Sequence, residues 1–440
     1  MISALLLPAA TTVMEFAPSD SPVSAEVQLA KAFDVLAALH AAAPFEAVHA
    51  HEETGNAHTF ARDLGVGRWC RQHAVGWQEW PQFGVVRRLR DRREWQPRWE
   101  RHMATLQAPV PDVLHTPDLS HAPHLPVWPL GSQPLPTAAE LSLDLFEPPK
   151  RQRGGRHRAE AVLRDFLQHR SARYRGGISS PLSAPDACSR LSPYLAHGAL
   201  SMREVVQATR EQLHALPPED KRQRLGLQGF VSRLYWHCHF IQKLESEPEL
   251  EWRNLHRGYD GLREADWNPA HFEALQQGRT GWPMVDACVA MLRETGWLNF
   301  RMRAMLVSVA AYPLWLHWLP VGHWLARQFL DYEPGIHWPQ MQMQSGTTGI
   351  NTTRVYNPVK QALDHDPQGR FVRQWLPALR RVPDTWLFEP WRMSADVAER
   401  CGVRVGEDIA VPPVELMDAL RASKTRMHAL RRQPAVRAAK

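Results

Sequence analysis

Two arginines stand two residues apart in TGWLNFRMRAM, residues 295–305, at the start of an apolar run. The run from Trp297 to Tyr312 has no internal proline or glycine, which predicts one buried helix. At about 100° per residue, Arg301 and Arg303 point to nearly opposite sides of this helix, so at least one enters the interior. A buried guanidinium keeps its charge and needs an anionic partner. A structural ion pair, a cofactor or a polyanion would each supply one.

Carboxylates follow a second apolar run. Asp331 and Glu333 come directly after Phe329 and Leu330 in FLDYEPGIHW. The chain therefore brings a carboxylate close to the apolar helix that needs one. The residues that follow, rich in glycine, threonine and glutamine, predict an irregular loop of the kind that often carries binding function.

The stretch CSRLSPYLAHGALS, residues 188–201, predicts the start of a helix. Ser192 followed by Pro193 is typical of an N-cap and first turn, and the hydroxyls of Ser189 and Ser192 would face the same way as the free amides. Such a terminus suits a phosphate group. From this stretch alone, a capped helix without a ligand is the simpler interpretation.

The stretch SRLYWHCHFIQKLE, residues 232–245, also reads as a helix. His237 and His239 are two residues apart and lie on opposed faces, which argues against a metal site. Arg233 and Trp236 are three apart and share a face. That pairing suits either packing or stacking on a nucleobase.

The sequence predicts two folded regions, joined by a linker, that would position these candidate residues. Residues 24–101 mix helical periodicity with short apolar strands such as FEAVHAH, which predicts a small α/β region whose opening strand is reduced to a stub. Residues 105–150 are proline-rich and aperiodic, which is typical of a linker. From Gly155 onward one helical pattern follows another, so we expect an all-α domain.

Composition narrows the class of protein. A chain of 440 residues with 44% apolar content can bury a substantial core and form two domains. The net charge of +6 and the basic clusters VVRRLRDRREWQPRWERHM, KRQRGGRHR and RASKTRMHALRRQPAVRAAK favour an anionic polymer as partner. Five widely spaced cysteines without a CxxC pair argue against a zinc ribbon and an iron–sulfur cluster.

No stretch has the pattern of a transmembrane span, and the first residues lack the charged start of a signal peptide. We therefore expect a cytoplasmic protein. Separately, we expect a monomer and no metal site.

Four stretches carry a family resemblance: SRLSPYLAHGALS, GRTGWPMVDACVAMLRETGWLNFRMR, FLDYEPGIHW and YNPVKQALDHDPQGRFVRQWLPALRRVPDTWLFEPW. In this order they closely resemble the flavin domain of the DNA photolyase/cryptochrome family. The resemblance implies an α/β domain, an incomplete Rossmann-like one, followed by an all-α FAD-binding domain of photolyase type. The implied boundaries are 1–104 for the α/β domain, 105–154 for the linker, 155–392 for the FAD-binding domain and 393–440 for a basic C-terminal extension.

The resemblance also implies roles for individual residues. Arg303 matches the arginine that pairs with Asp331 across the flavin ring, and Arg301 matches one that faces the DNA cleft. Positions that match contacts to the ribityl and pyrophosphate part of FAD are Tyr174, Ser189, Leu191 and Ser192. Positions that match contacts beside the flavin ring are Trp297, Asp331, Glu333 and His337, the last preferred over Gly335 as the neighbour of N5. Positions that match DNA contacts are Trp236, which stacks on the flipped-out lesion, Arg354 and Gln361.

Several positions depart from the family pattern. The glutamate that photolyases place against the dimer is Arg233 here, and the two histidines of six-four photolyases fall at Asn299 and Ala304. Of the three tryptophans that relay electrons to flavin, only Trp318 aligns. The flavin-proximal position falls at Met341, or at Pro339 if a local gap lies earlier, and the surface position falls at Ala265 with Trp267 close by. The opening strand of the family's first domain is absent, so we expect a shortened start and no antenna chromophore.

The chemistry implied is photon-driven electron transfer from reduced flavin to a pyrimidine dimer, which then splits and returns the electron. A FAD-dependent lyase that repairs UV-damaged DNA is the leading hypothesis. Its catalytic set would be Trp236, Arg233, Met341 and Trp318. A cryptochrome-like sensor of blue light or redox state, without repair, is the alternative. A DNA-binding protein that has lost flavin is the third.

Overall fold

A computed structural model describes residues 44–109, 145–350 and 355–438, with a few isolated positions at 36–37, 39–41, 112 and 139. The chain divides into two compact units. One comprises Met1–Glu147 and Ser201–Glu204, and the other Pro148–Leu200 and Val205–Lys440. Most of the predicted linker, and Arg354, lie outside the described residues.

The first unit contains a parallel pair of strands, Ala47–His51 and Gly76–Trp80. The helix Ala57–Gln72 lies between them in sequence, because parallel neighbours need a crossover connection. A second helix, Trp95–Ala104, follows. The strand predicted in FEAVHAH is present. Within the described residues this unit is a small α/β structure with two strands, and the larger Rossmann-like sheet is not shown.

The second unit is helical throughout its described part. Its α-helices are Arg156–Asp165, Tyr174–Gly177, Ala184–Ala187, Ser192–Ala196, Met202–Ala215 (which begins in the first unit), Lys221–Ser246, Pro269–Gln277, Pro283–Thr295, Phe300–Ala311, Trp318–Gln328, Pro334–Ser345, Pro358–His365, Arg370–Trp375, Ala395–Cys401, Leu416–Arg432 and Pro434–Ala438. A π-helical turn at Phe166–Arg170 and short 3-10 turns join several of them. We call Lys221–Ser246 the long helix and Phe300–Ala311 the arginine helix.

One hydrophobic core joins the helices from Pro269–Gln277 to Leu416–Arg432. Buried tryptophans Trp282, Trp318 and Trp338 lie in it, as do Leu420 and Met427 of the helix Leu416–Arg432. The helix Leu416–Arg432 therefore belongs to the same core as Trp338 and Met302. None of the helices within the described residues combines the length and apolar character that crossing a bilayer requires.

The arginine helix is shorter than predicted, because it begins at Phe300 rather than Trp297 and ends at Ala311. Gly296, with φ of 66°, ends the preceding helix in the left-handed conformation. Asn299 is extended, and its Nδ2 donates to the carbonyl oxygens of Ile178 at 3.0 Å and Ser179 at 2.9 Å. The residues 297–299 are thus tied to another segment instead of continuing the helix.

Candidate functional site

A close approach between two loops brings Asp331 to the arginine helix. A Cβ atom on Gly296 would come 2.5 Å from Cγ of Leu330, so only glycine allows this packing. The amide of Leu330 donates to the carbonyl of Gly296 at 2.9 Å. Because Asp331 follows Leu330 directly, this contact fixes the carboxylate beside the first turn of the arginine helix.

Arg303 meets that carboxylate. Its Nη2 lies 2.8 Å from Oδ2 of Asp331, and its Nε donates to the carbonyl of Leu298 at 2.7 Å. The Asp331 side chain is 4% exposed and that of Arg303 is 23% exposed. Burial alone would raise the pKa of Asp331, but the charge and hydrogen bond of Arg303, a hydrogen bond from Ser192 and the charge of Arg190 together lower it. The carboxylate is therefore ionised, and the expected partnership of Arg303 with Asp331 is present.

The predicted N-cap at Ser192 is wrong. The short helix Ser192–Ala196 has Leu191 at its cap position and no side-chain cap hydrogen bond. The Ser192 hydroxyl instead donates to the Asp331 carboxylate. Ser189 accepts from the amide of Leu191 at 3.4 Å, so its hydroxyl supports the turn before the helix. Ser192 does lie beside Asp331, by a different geometry from the one predicted.

Arg190 is a member of this site that the sequence did not single out. It has a φ of 63°, which is strained for a side-chain-bearing residue, and its guanidinium lies 3.8 Å from the centroid of the Trp297 indole ring. Burial lowers the pKa of Arg190 to about 10, although the nearby Asp331 acts in the opposite direction. The sequence did contain a signal for it, because Arg190 lies within CSRLSPYLAHGALS and, like Arg303, is an arginine that needs an anionic partner where it is buried.

The helix Pro334–Ser345 supplies two further predicted contacts. The Glu333 carboxylate caps this helix by accepting from the amide of Gly335 at 3.2 Å. Nε2 of His337 lies 2.9 Å from the carbonyl of Gly322, which requires a proton on that nitrogen. Burial lowers the pKa of His337 to about 3. Because the other ring nitrogen is then an acceptor, His337 offers a neutral, oriented imidazole.

A cavity of about 440 Å³ separates the long helix from the turn that begins at Tyr174. Its lining residues are Tyr174, Arg175, Gly176, Ile178, Ser179, Leu225, Gln228, Gly229 and Arg233. Gly226 makes the approach possible, because a Cβ there would lie 1.9 Å from the carbonyl oxygen of Ser171. The cavity is thus lined both by Tyr174, a predicted FAD contact, and by Arg233, which stands where the family pattern has a glutamate.

The residues predicted to contact DNA are distributed around this region. Trp236 lies one helical turn beyond Arg233 and is 42% exposed. Nε of Arg301 is buried without a hydrogen-bond partner among the described residues, and so is Oε1 of Gln361. Burial and the charge of Arg301 lower the pKa of His365, which places Arg301 near the helix that carries Gln361. The structure does not describe Arg354.

The predicted relay residues lie in the core. Trp318 donates from Nε1 to Oδ1 of Asn254 at 2.7 Å. Met341 is 2% exposed and has no aromatic ring to offer. One turn earlier on the same helix stands Trp338, whose ring centroid is 6.1 Å from that of Trp318 and 4.8 Å from that of His337. The sequence analysis missed Trp338, although it directly follows His337, a predicted flavin contact.

Comparison with known proteins gives the context for this geometry. The family model described as the FAD binding domain of DNA photolyase matches residues 230–429. Deoxyribodipyrimidine photo-lyase of Escherichia coli is 33% identical over 269 residues, which cover 59% of this chain and 53% of that protein. Cryptochrome DASH of Gloeobacter violaceus is 29% identical over 300 residues, which cover 66% of this chain and 58% of that protein.

A solved structure matches over a longer stretch. The bacterial class III photolyase from Agrobacterium tumefaciens superposes with a TM-score of 0.74 at 22% identity, covering 91% of this chain and 83% of that one, a likeness that shows the fold alone. The sequence matches span about half the length of the first curated relatives, at 53%, 53% and 49%. The family model assigns residues 230–429 to the FAD-binding domain family of DNA photolyase, and the curated photolyases and cryptochromes match the chain over 53–66% of its length.

Proposed function

We propose that the second unit binds one FAD against the Arg303–Asp331 pair. Oδ1 of Asp331 is buried and has no hydrogen-bond partner among the described residues. A buried acceptor without a donor is costly, and the N–H groups of a reduced flavin ring would satisfy it. Arg190 and Arg303 bring two positive charges to one carboxylate, which suits an electron-rich or anionic ligand. The residues present therefore fit FAD, with Ser189, Leu191, Ser192, Trp297 and His337 as further contacts.

We also propose that the protein repairs UV-induced pyrimidine dimers in DNA in a light-dependent reaction. FAD, when bound and reduced, supplies the photoexcited electron that splits the dimer. The observation that carries this proposal is the exposed indole of Trp236 one turn from a cavity large enough for extruded nucleotides. Arg301, Arg354 and Gln361 would hold the surrounding strand.

The experiment compares two tryptophans of similar exposure. Trp236 is 42% and Trp252 is 44% exposed, and both belong to the second unit. Stacking on a base contributes about 1–3 kcal/mol, so Trp236→Ala should reduce the preference for dimer-containing over intact DNA by about 5- to 150-fold. Trp252→Ala should keep the full preference. Equal effects of the two substitutions would refute a stacking role for Trp236.

Arg233 favours a second candidate, a cryptochrome-like sensor without repair activity. A cation stands where photolyases hold a carboxylate against the dimer, and this changes which lesions the cavity accepts. The discriminating assay uses chemically reduced, flavin-loaded protein, blue light, and oligonucleotides that carry a cyclobutane dimer or a six-four product. Repair of either lesion supports the lyase. If neither is repaired, the sensor takes its place.

A further inference from the structure

We infer that the cavity between the long helix and the Tyr174 turn is a phosphodiester site. In it, Arg175 and Arg233 together bind the phosphate that joins the two nucleotides of an extruded lesion. This inference rests on the proposed DNA-repair function and adds to it, because it states how the lesion is recognised at a position where a carboxylate is expected.

The charges that line the cavity are all of one sign. Two guanidinium groups line it, those of Arg175 and Arg233, and no carboxylate does. Neither arginine forms an ion pair within the part of the chain that the structure describes. Neighbouring arginines behave differently, since Arg170 pairs with Asp165 and Arg303 with Asp331. Both residues are exposed and line the same cavity, so an anion bound there would be attracted by two positive charges.

The hydrogen-bonding character of the two arginines selects the kind of group they bind. A guanidinium only donates, whereas the Watson–Crick edge of a pyrimidine both donates and accepts. A carboxylate beside the dimer can accept from the ring N–H, but Arg233 cannot. A phosphate accepts at every oxygen and matches the forked geometry of a guanidinium. The replacement of a carboxylate by Arg233 therefore shifts recognition from the base edge to the backbone.

The cavity has the room and the position for this group. Its volume of about 440 Å³ lies within the usual range of ligand sites. A Cβ on Gly176 would meet no atom within 4 Å, so that wall is open. Trp236 lies three residues beyond Arg233, a rise of about 4.5 Å along the helix. The cavity that Arg233 lines therefore lies within about one helical turn of the indole proposed to stack on the lesion.

The test neutralises one phosphate at a time. Oligonucleotides with a single cyclobutane dimer carry a methylphosphonate either at the linkage inside the dimer or at a linkage several nucleotides away. Dissociation constants are measured by fluorescence anisotropy in the dark with flavin-loaded protein. For the parent protein, the internal methylphosphonate should weaken binding about tenfold more than the distant one, since a charge-assisted bond is lost.

The variants Arg175→Gln and Arg233→Gln should each weaken binding to the unmodified dimer and lose the extra sensitivity to the internal methylphosphonate. Arg173→Gln is the matched control, because Arg173 is exposed on the same segment but does not line the cavity. It should keep that sensitivity in full. Melting temperatures of all variants establish that each is folded.

The remaining outcomes separate the two proposals. If the parent prefers damaged DNA but both methylphosphonates act equally, the phosphodiester site is refuted while the repair function stands. If Arg175→Gln or Arg233→Gln lowers flavin content without changing the methylphosphonate response, the cations serve the cofactor's diphosphate and the inference is overturned. If the parent protein shows no preference for damaged DNA, the proposed repair function is refuted, and the phosphodiester site that rests on it is refuted as well.

Discussion

Nη2 of Arg303 lies 2.8 Å from Oδ2 of Asp331, although 28 residues separate the two in sequence. The guanidinium also lies 4.1 Å from the centroid of the Phe329 ring, so its position is fixed from two sides. The other oxygen of Asp331 remains buried without a partner among the described residues. The pair is thus both a structural link between two segments and an incomplete hydrogen-bonding site.

We expect Asp331→Ala to leave Arg303 and Arg190 without a counter-charge. Removal of one partner of a buried pair costs about 3–5 kcal/mol in unfolding free energy. The same change removes the acceptor proposed for the flavin, so the variant should purify with little flavin. Urea unfolding and the ratio of 450 nm to 280 nm absorbance measure the two effects.

The matched control for this substitution is Asp364→Ala, which breaks a surface pair with Lys360. Exposed pairs contribute about 1 kcal/mol or less, so this variant should retain its flavin and stability. An Asp331→Ala protein as stable and as yellow as the control would contradict the role of the pair.

The sequence predicted part of this site for a physical reason. A charged residue in an apolar helix must find a partner, which pointed to Arg303 and to the carboxylates near Asp331. Other features depend on contacts between segments that periodicity does not encode. The φ of Arg190, its approach to Trp297 and the hydrogen bond from Ser192 to Asp331 all follow from tertiary packing. The start of the arginine helix at Phe300 was missed because Asn299 bonds to a distant turn.

Two glycines on the long helix provide a test of its packing. A Cβ on Gly226 would lie 1.9 Å from the backbone oxygen of Ser171, whereas one on Gly229 would meet the Tyr174 ring at 3.7 Å, an ordinary contact. Gly226→Ala should therefore force the segments apart and destabilise the protein by about 1–3 kcal/mol, the usual cost of overpacking. Gly229→Ala should be neutral or stabilising by up to about 1 kcal/mol, because alanine favours a helix.

Thermal and urea unfolding of both glycine variants, side by side, give the comparison. The expected order of stability is Gly229→Ala at or above the parent, with Gly226→Ala well below it. The reverse order would show that the Ser171 segment moves away at little cost.

His337 should make the protein sensitive to acid. Its pKa is lowered by burial from the ordinary 6.5 to about 3, so the unfolded chain binds a proton at this residue at pH 5 and the folded chain does not. The resulting stability is present above pH 6.5 and is lost at about 1.4 kcal/mol for each pH unit below it, until pH 3 is reached. Between pH 6.5 and 5 the loss from this group is about 2 kcal/mol.

His337→Gln should lose correspondingly less stability over that interval than the parent protein. Urea unfolding of both proteins at pH 6.5 and pH 5 measures this difference. The contributions of the other titrating groups are the same in both proteins and therefore cancel when the two losses are subtracted. If the parent and the variant lose equal stability, His337 is protonated in the folded state or is solvated there.

Light-driven reduction of a bound flavin requires an oxidisable donor within the protein. Trp338 and Trp318 are each 1% exposed, and their ring centroids lie 6.1 Å apart. A Cβ on Gly322 would come 2.6 Å from the Trp338 ring and 3.4 Å from Cγ of Met341, so Trp338 occupies the space beside the position where the relay was expected. We expect the pair to pass electrons inward, since near contact between oxidisable rings favours transfer and Met341 offers no ring.

Trp338→Phe and Trp318→Phe keep an apolar ring in place and raise the cost of oxidising it. Each should slow the bleaching of the yellow colour under blue light in the presence of a thiol reductant. Chemical reduction with dithionite should remain as fast as in the parent, which separates the route from flavin binding. Trp252→Phe, on the surface of the same unit, is the control and should bleach at the parent rate. If Trp338→Phe bleaches at the parent rate, another residue donates the electron to the flavin.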